Sequence, residues 1–371
     1  MLIKTHLWEL TMKTSLNRWA KATLCGMAIL GCSASASAGE VAHKAEGHAQ
    51  SPVWSPNGKF LAYEVNELSS GAISLFVSPM GGSIAGTALK VKMPGSSGPY
   101  SSNQSMVNST WHPQGYLIFS GSNEEGKYRV YMTQPPNVAA IELLAKKDAP
   151  GDLSFPAVSA DSTMVAFVSD DTGDGDVQIY QSTTGKVIQA TSSSGAEVYP
   201  TFASDGSAVF YNRKVNMQLD IYTTDLTTKE SKVLVKGSGD QTRPVVTKNG
   251  DLVFFSATNS EGPWNIVATD GSGGNKRILA SGIRLPYSSR PAVSPDGNWV
   301  AFSYDNPTKA NSVYLAPISG GTAKEIKTDF RACGEPAIGV QDGRTLLAFT
   351  ALPAGEADWR MLQVLDISQY F

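Results

Sequence analysis

The chain has 371 residues, of which 41% are apolar and 17% charged, with a formal net charge of −3. This is length for one large domain or two modest ones, with an ordinary globular balance. A net-acidic chain argues against nucleic acid as a partner, because that function needs clustered positive surface.

The N-terminus reads as a leader rather than as part of the fold. Lys13, Arg18 and Lys21 form a basic region, Thr23–Leu30 is a short apolar run, and Ala36-Ser37-Ala38 has the small-residue pattern of a cleavage site. The apolar run is too short to span a bilayer as a helix. Residues 1–38 are therefore expected to be a signal peptide, with Met12 the better start. Ile29–Cys32 also reads as a lipobox, and in that alternative Cys32 is acylated and tethers the protein to a membrane without altering its fold. Removing residues 1–38 leaves 26 basic and 32 acidic side chains, a net charge of −6. It also leaves Cys333 as the single cysteine, so an intramolecular disulfide is excluded and stability has to come from a large core.

Beyond the leader, the chain repeats. Pro52–Gly58 reads PVWSPNG, Ser109–Gly115 STWHPQG, Pro156–Ser162 PAVSADS, Pro200–Gly206 PTFASDG, Pro244–Gly250 PVVTKNG, Pro291–Gly297 PAVSPDG and Pro336–Gly343 PAIGVQDG. The copies end at 58, 115, 162, 206, 250, 297 and 343, mostly 44 to 47 residues apart. Each is followed by an apolar burst with an aromatic (FLAYEV, MVAFVS, WVAFSY), a polar loop, a second apolar segment (ISLFVS, VQIYQS, SVYLAP) and a shorter third one. That is four strand-length runs per repeat, bounded by turn formers, with no sustained helical period. A repeat of this length with four strands is the blade of a β-propeller. The expected fold is all-β, a seven-bladed propeller over residues 50–371 with four antiparallel strands per blade. Six blades are the alternative. The last copy stops after its third strand, so the arm at 39–49 is expected to supply the missing one and remove a sheet edge.

RPAVSPDGNWVAFSYD and FPAVSADSTMVAFVSDDTGDGDVQIY carry a resemblance to the WD-like propeller repeats of the TolB family. The resemblance covers the whole chain after the leader and implies a periplasmic or secreted propeller. It also implies partners in the cell envelope, such as a peptidoglycan-associated lipoprotein. Two features depart from the family pattern: its N-terminal α/β domain has no counterpart here, and its propeller has six blades. Similar repeats occur beside peptidase domains and in some sugar lyases.

Chemical motifs are sparse. There is no Gly-x-Ser-x-Gly and no His-Glu-x-x-His. Gly121–Lys127 spells most of a phosphate loop, but Tyr128 follows and no helix does, so it reads as a hairpin turn. Outside the leader the histidines are His43, His48 and His112, too few for the metal centre of the lyases. No cofactor is expected. Asp170, Asp174 and Asp176 cluster as oxygen ligands suited to structural calcium, yet they fall in a loop that is polar in every copy. The Asp-Gly and Asn-Gly pairs of the repeat supply the positive φ of tight turns, and a feature repeated around a ring is architecture.

Function is more legible where the copies differ. The residue before each copy is Ser51, Asn108, Phe155, Tyr199, Arg243, Arg290 or Glu335. Propeller geometry places these seven around one mouth of the central channel. Phe155, Tyr199, Arg243, Arg290 and Glu335 are the side chains suited to a peptide or polar partner. The expected role is a binding or scaffold module. A hydrolase or lyase acting on a saccharide or peptide at the same mouth is the alternative.

Overall fold

The structure, a computed structural model, describes residues 39–41, 45–81, 87–95, 104–145, 148–259, 262–353 and 359–371. The leader, Cys32 and His43 lie outside these residues. Among them are seven four-stranded antiparallel sheets and a single 3-10 turn, Ser368–Tyr370. Six of the sheets follow chain order from the innermost strand outward: blade 3, for example, is Leu153–Val158, Met164–Ser169, Asp176–Gln181 and Lys186–Gln189. The chain is a seven-bladed β-propeller.

The hydrophobic core is divided into seven clusters, each lying between two neighbouring blades. A blade buries both faces against its neighbours, which explains why its second strand is apolar without alternation, as in LLAFTA of blade 7. The ring closes between blades 7 and 1. Gly39–Glu40 pairs antiparallel with the third strand of blade 7, Met361–Asp366, in the order 39–40, 361–366, 344–352, 331–341. Val41 continues the seam, donating its N–H to Leu362 O at 2.9 Å and burying its side chain completely. The rest of the arm does something else: Gly47–Gln50 opens the first strand of blade 1, Gly47–Trp54.

One irregularity recurs around the ring. In six blades the first strand carries a β-bulge at the residue pair that opens the repeat. Phe155 and Pro156 together oppose Phe167, and the same holds for Ser51-Pro52, Asn108-Ser109, Tyr199-Pro200, Arg243-Pro244 and Glu335-Pro336. The first residue of each pair has left-handed φ, between 45° and 56°. The second is proline in five of the six. A bulge leaves one backbone N–H outside the ladder, and proline has none to leave. The residue opposite the bulge is the repeat's aromatic, Tyr63, Phe119, Phe167, Tyr211, Phe254 or Phe349, each fully buried. The repeat motif is thus the sequence of a bulge and its filler. Blade 6 departs: its first strand is only Ala292–Val293, and Arg290 lies before it in a loop.

The turn after the first strand is also shared. In blade 6, Ser294 Oγ donates to Asp296 and accepts from Trp299 N at 3.0 Å, while Asp296 Oδ1 accepts from Asn298 N at 3.1 Å. Gly297 follows at φ 79°. Ser55–Phe60 and Ser159–Met164 repeat the pattern.

A left-handed non-glycine residue costs about 1–2 kcal/mol. Glycine avoids that cost, so Phe155→Gly is expected to be more stable than Phe155→Ala by about 1 kcal/mol, the reverse of the usual order in a strand. Urea unfolding of the two variants, with matched slopes, checks this. The usual order would mean that residue 155 is not held in the bulge in solution.

Candidate functional site

The bulges place the variable residues inside the first strands rather than on the loops entering them. Ser51, Asn108, Phe155 and Tyr199 line a central cavity of about 430 Å3 together with Arg290, and all seven blades contribute to its wall. From the bulges the cavity runs toward the repeat turns, where Trp54, Trp111, Val158 and Ile338 line it. The indole N–H groups of Trp54 and Trp111 reach back to Ala337 O at 3.2 Å and Val53 O at 3.0 Å, each tying its blade to the one before.

The other end of the channel is crossed by the loop Arg284–Pro291, which joins the outer strand of blade 5 to blade 6. Arg243 holds this loop, donating to Pro286 O at 2.8 Å, Ser289 O at 3.0 Å and Tyr287 O at 3.1 Å. Glu335 accepts from Tyr287 N and from Ser289 Oγ. Ser288 bonds Ser51 and reaches Glu64 Oε2 at 3.4 Å. Arg290 crosses to blades 4 and 5, donating to Pro200 O at 2.9 Å, Pro244 O at 3.0 Å and Tyr199 O at 3.4 Å. Arg243 and Glu335 are therefore engaged inside the protein, and what they position is the loop.

Three of the five sequence-selected residues remain together at the cavity wall. The rings of Phe155 and Tyr199 lie 4.5 Å apart at 58°. The guanidinium of Arg290 sits 5.7 Å from the Tyr199 ring centre, with that of Arg243 at 5.5 Å. Burial pulls Arg290 down to about 10, with the Tyr199 phenol opposing and Arg243 adding, so it stays a cation at neutral pH. The pair of aromatics beneath two cations can hold an apolar or aromatic group next to an acceptor.

The sequence reading passed over Glu64. It occupies the second-strand position where the other blades have Ser120, Val168, Asn212, Phe255, Ser303 or Thr350, so it is the one ionisable residue of that set. It is fully buried at the channel wall and accepts from Gln50 Nε2 at 3.0 Å and from Asn108 N, in the bulge of blade 2, at 2.9 Å. Asn212 serves blade 5 in the same way, accepting from Arg243 N at 2.8 Å. Burial pushes the Glu64 carboxyl up to about 7, the hydrogen bonds from Gln50 and Asn108 opposing and Glu335 adding. Its departure from the repeat at an inward position was the available signal.

The remaining candidates lie elsewhere. Asp170 accepts from Asp152 N at 2.6 Å, Asp174 from Gly195 N at 3.2 Å, and Asp176 from Thr172 Oγ1 and from Ser193 N at 3.2 Å. Among the described residues no group of three or more His, Cys, Asp and Glu is placed to hold a metal ion. His48 Nδ1 accepts from Arg360 N at 3.3 Å, and His112 belongs to the turn of blade 2. Asn123–Lys127 closes the hairpin of blade 2, with Asn123 N on Lys127 O at 2.8 Å. Cys333 is buried beside Thr328.

Glu64 gives the fold a pH dependence. Its pKa is 4.5 when free and about 7 when folded. Its stabilising contribution is complete below pH 4.5 and is lost as pH rises to 7, on the order of 3 kcal/mol. Glu64→Gln is expected to flatten the change in melting temperature between pH 5 and 8. Parallel profiles for the variant and the wild type would show that Glu64 ionises freely.

No curated protein matches this chain in sequence. Among solved structures it is similar to a putative TolB from Agrobacterium tumefaciens, at 18% identity and TM-score 0.54, over 68% of this chain and 87% of that one. TolB from Acinetobacter baumannii is similar at 17% identity and TM-score 0.56, over 76% and 67%. An oligogalacturonate lyase in complex with manganese matches at 11% identity and TM-score 0.61 over 90% and 94%, and the oligogalacturonate lyase of Vibrio parahaemolyticus at 8% and 0.61 over 92% and 97%. At these identities the likeness is one of fold. Residues 100–342 match the TolB beta-propeller domain family. With most of the chain inside that match, this protein belongs to the TolB beta-propeller domain family.

Proposed function

We propose that this protein is an exported binding module of the cell envelope whose partner inserts a short peptide or loop into the central channel. The observation that carries this reading is the Phe155–Tyr199 pair under Arg290, at the wall of a cavity of about 430 Å3. A space of that size takes a few side chains rather than a folded domain. Aromatic and arginine anchors in a concave site are the usual carriers of binding energy. The loop Arg284–Pro291 closes one end, so the partner enters from the end where the repeat turns lie.

Family membership supports an envelope partner, and a peptidoglycan-associated lipoprotein is the proposed one. The leader pattern at 1–38 supports export, to the periplasm or beyond. Acylation at Cys32, which would make the protein an outer-membrane lipoprotein, is the alternative. Among the described residues no helix is long and apolar enough to cross a membrane.

A second reading, a lyase or hydrolase on a saccharide or peptide, is favoured by one observation: Glu64, with a proton affinity near neutrality, faces the same channel.

Capture from envelope extract separates the two. Phe155→Ala with Tyr199→Ala is expected to lose the partner at least tenfold while keeping the wild-type melting profile within a few degrees. Arg243→Met is expected to lower the melting temperature instead, by releasing the loop. Equal recovery by wild type and the double variant would sink the channel proposal. Turnover of glycan or peptide libraries that disappears in Glu64→Gln would establish the enzyme.

A further inference from the structure

A second cavity, of about 260 Å3, lies beside the channel, between blades 6 and 7 and under the crossing loop. Its wall carries Arg284, Arg290 and Arg360, with Ser303, Gly334 and Glu335 between them. Arg290 is bonded to backbone carbonyls, as described above. The other two guanidiniums are not. Among the described residues Arg360 forms hydrogen bonds only through its backbone, from N to His48 and from Ala49 N to its carbonyl. Among the described residues Arg284 Nε is buried without a hydrogen-bond partner, and the nearest carboxylate is that of Asp305 at 3.8 Å, a side chain 73% exposed. A pair that long and that wet neutralises little.

The two arginines converge on Gly334. A Cβ placed on that glycine would stand 3.2 Å from Arg360 Nη1 and 3.8 Å from both Arg284 Cδ and Thr350 Oγ1. Two hydroxyls nearby, Ser303 Oγ and Thr350 Oγ1, are buried without hydrogen-bond partners among the described residues. Glu335, the one carboxylate among the described residues that line the cavity, already accepts from Tyr287 N and Ser289 Oγ. Burial lowers the Arg360 pKa and Arg284 lowers it further, with Glu335 opposing. Like charges and unmet donors around an open space make up an uncompensated site, since buried polar groups in folded proteins are nearly always satisfied.

We infer that this cavity binds a small oxyanion, a carboxylate or phosphate group, between Arg284 and Arg360. Guanidiniums present paired N–H donors in a fork that matches such a group, and Ser303 and Thr350 supply neutral donors to it. At roughly 30 Å3 per water, the cavity displaces on the order of nine waters, which suits a small acid or a small phosphate rather than a polymer. The exposed ring of Tyr287, on the crossing loop, stands at its rim. The cavity shares Arg290, Ala292 and Pro336 with the channel cavity, but the two arginines that would bind the anion, Arg284 and Arg360, do not line the channel.

Calorimetric titration of the purified full chain with inorganic phosphate and with malonate, at constant ionic strength in chloride, tests this. One saturable site per chain is expected for at least one of the two anions, weakened at least tenfold in Arg360→Gln and in Arg284→Gln. Tighter phosphate identifies a phosphoryl ligand and tighter malonate a carboxylic acid. If a glutamine variant does not fold, the lysine variant at that position keeps the charge and loses the fork, and is expected to bind severalfold more weakly. Absence of saturable binding of either anion to the wild type, or unchanged affinity in the arginine variants, overturns the site.

Discussion

The bulge at the head of six of the seven repeats is the constraint on which the rest of this molecule depends. The innermost strands of the seven blades meet around the central cavity. Placing two residues opposite one bends the strand and leaves the first of the pair at left-handed φ, and four of those six residues line the central cavity. The change has local costs: a left-handed residue and a break in the ladder. The first is offset by the packing of a buried aromatic opposite the bulge, from Tyr63 through Phe349. The second is largely removed by proline, which has no N–H to satisfy.

Those local needs account for much of the polarity of the channel. A broken ladder frees carbonyls as well as N–H groups, and each needs a partner away from water. Arg290 supplies it for Tyr199, Pro200 and Pro244, Glu64 for Asn108 N and Asn212 for Arg243 N. Charged residues at a propeller axis can therefore be structural members of the ring. Arg243 and Glu335, which look like binding groups in the sequence, serve the loop that closes one end. The arginines without such employment, Arg284 and Arg360, are the exception.

Much of the architecture was legible beforehand because its physics is local and repeated. Copies spaced mostly 44 to 47 residues apart, each with a turn former and an aromatic burst, specify blades, and their number follows from counting. The closing strand was legible in principle, since the last copy lacks one. Its extent was not: two residues, Gly39–Glu40, make the pairing, and the neighbouring Gly47–Gln50 belongs to blade 1. The site was half legible. Phe155, Tyr199 and Arg290 do meet at the cavity wall, because position in the repeat maps onto position around the axis.

By itself, then, the sequence determined the ring: a repeated pattern of apolar strands and turns has one way of burying both faces of every sheet, and that way is a closed propeller. Only the tertiary structure decided which polar residues face an open cavity and which are engaged by the protein. Arg243, Arg284, Arg290 and Arg360 are alike in sequence. Their difference lies in which carbonyls and carboxylates of other blades come within about 3 Å, the range of a hydrogen bond, and those groups are up to 91 residues away along the chain. Periodicity reports the backbone's regularity, whereas the state of a guanidinium depends on unique long-range neighbours that no repeat encodes.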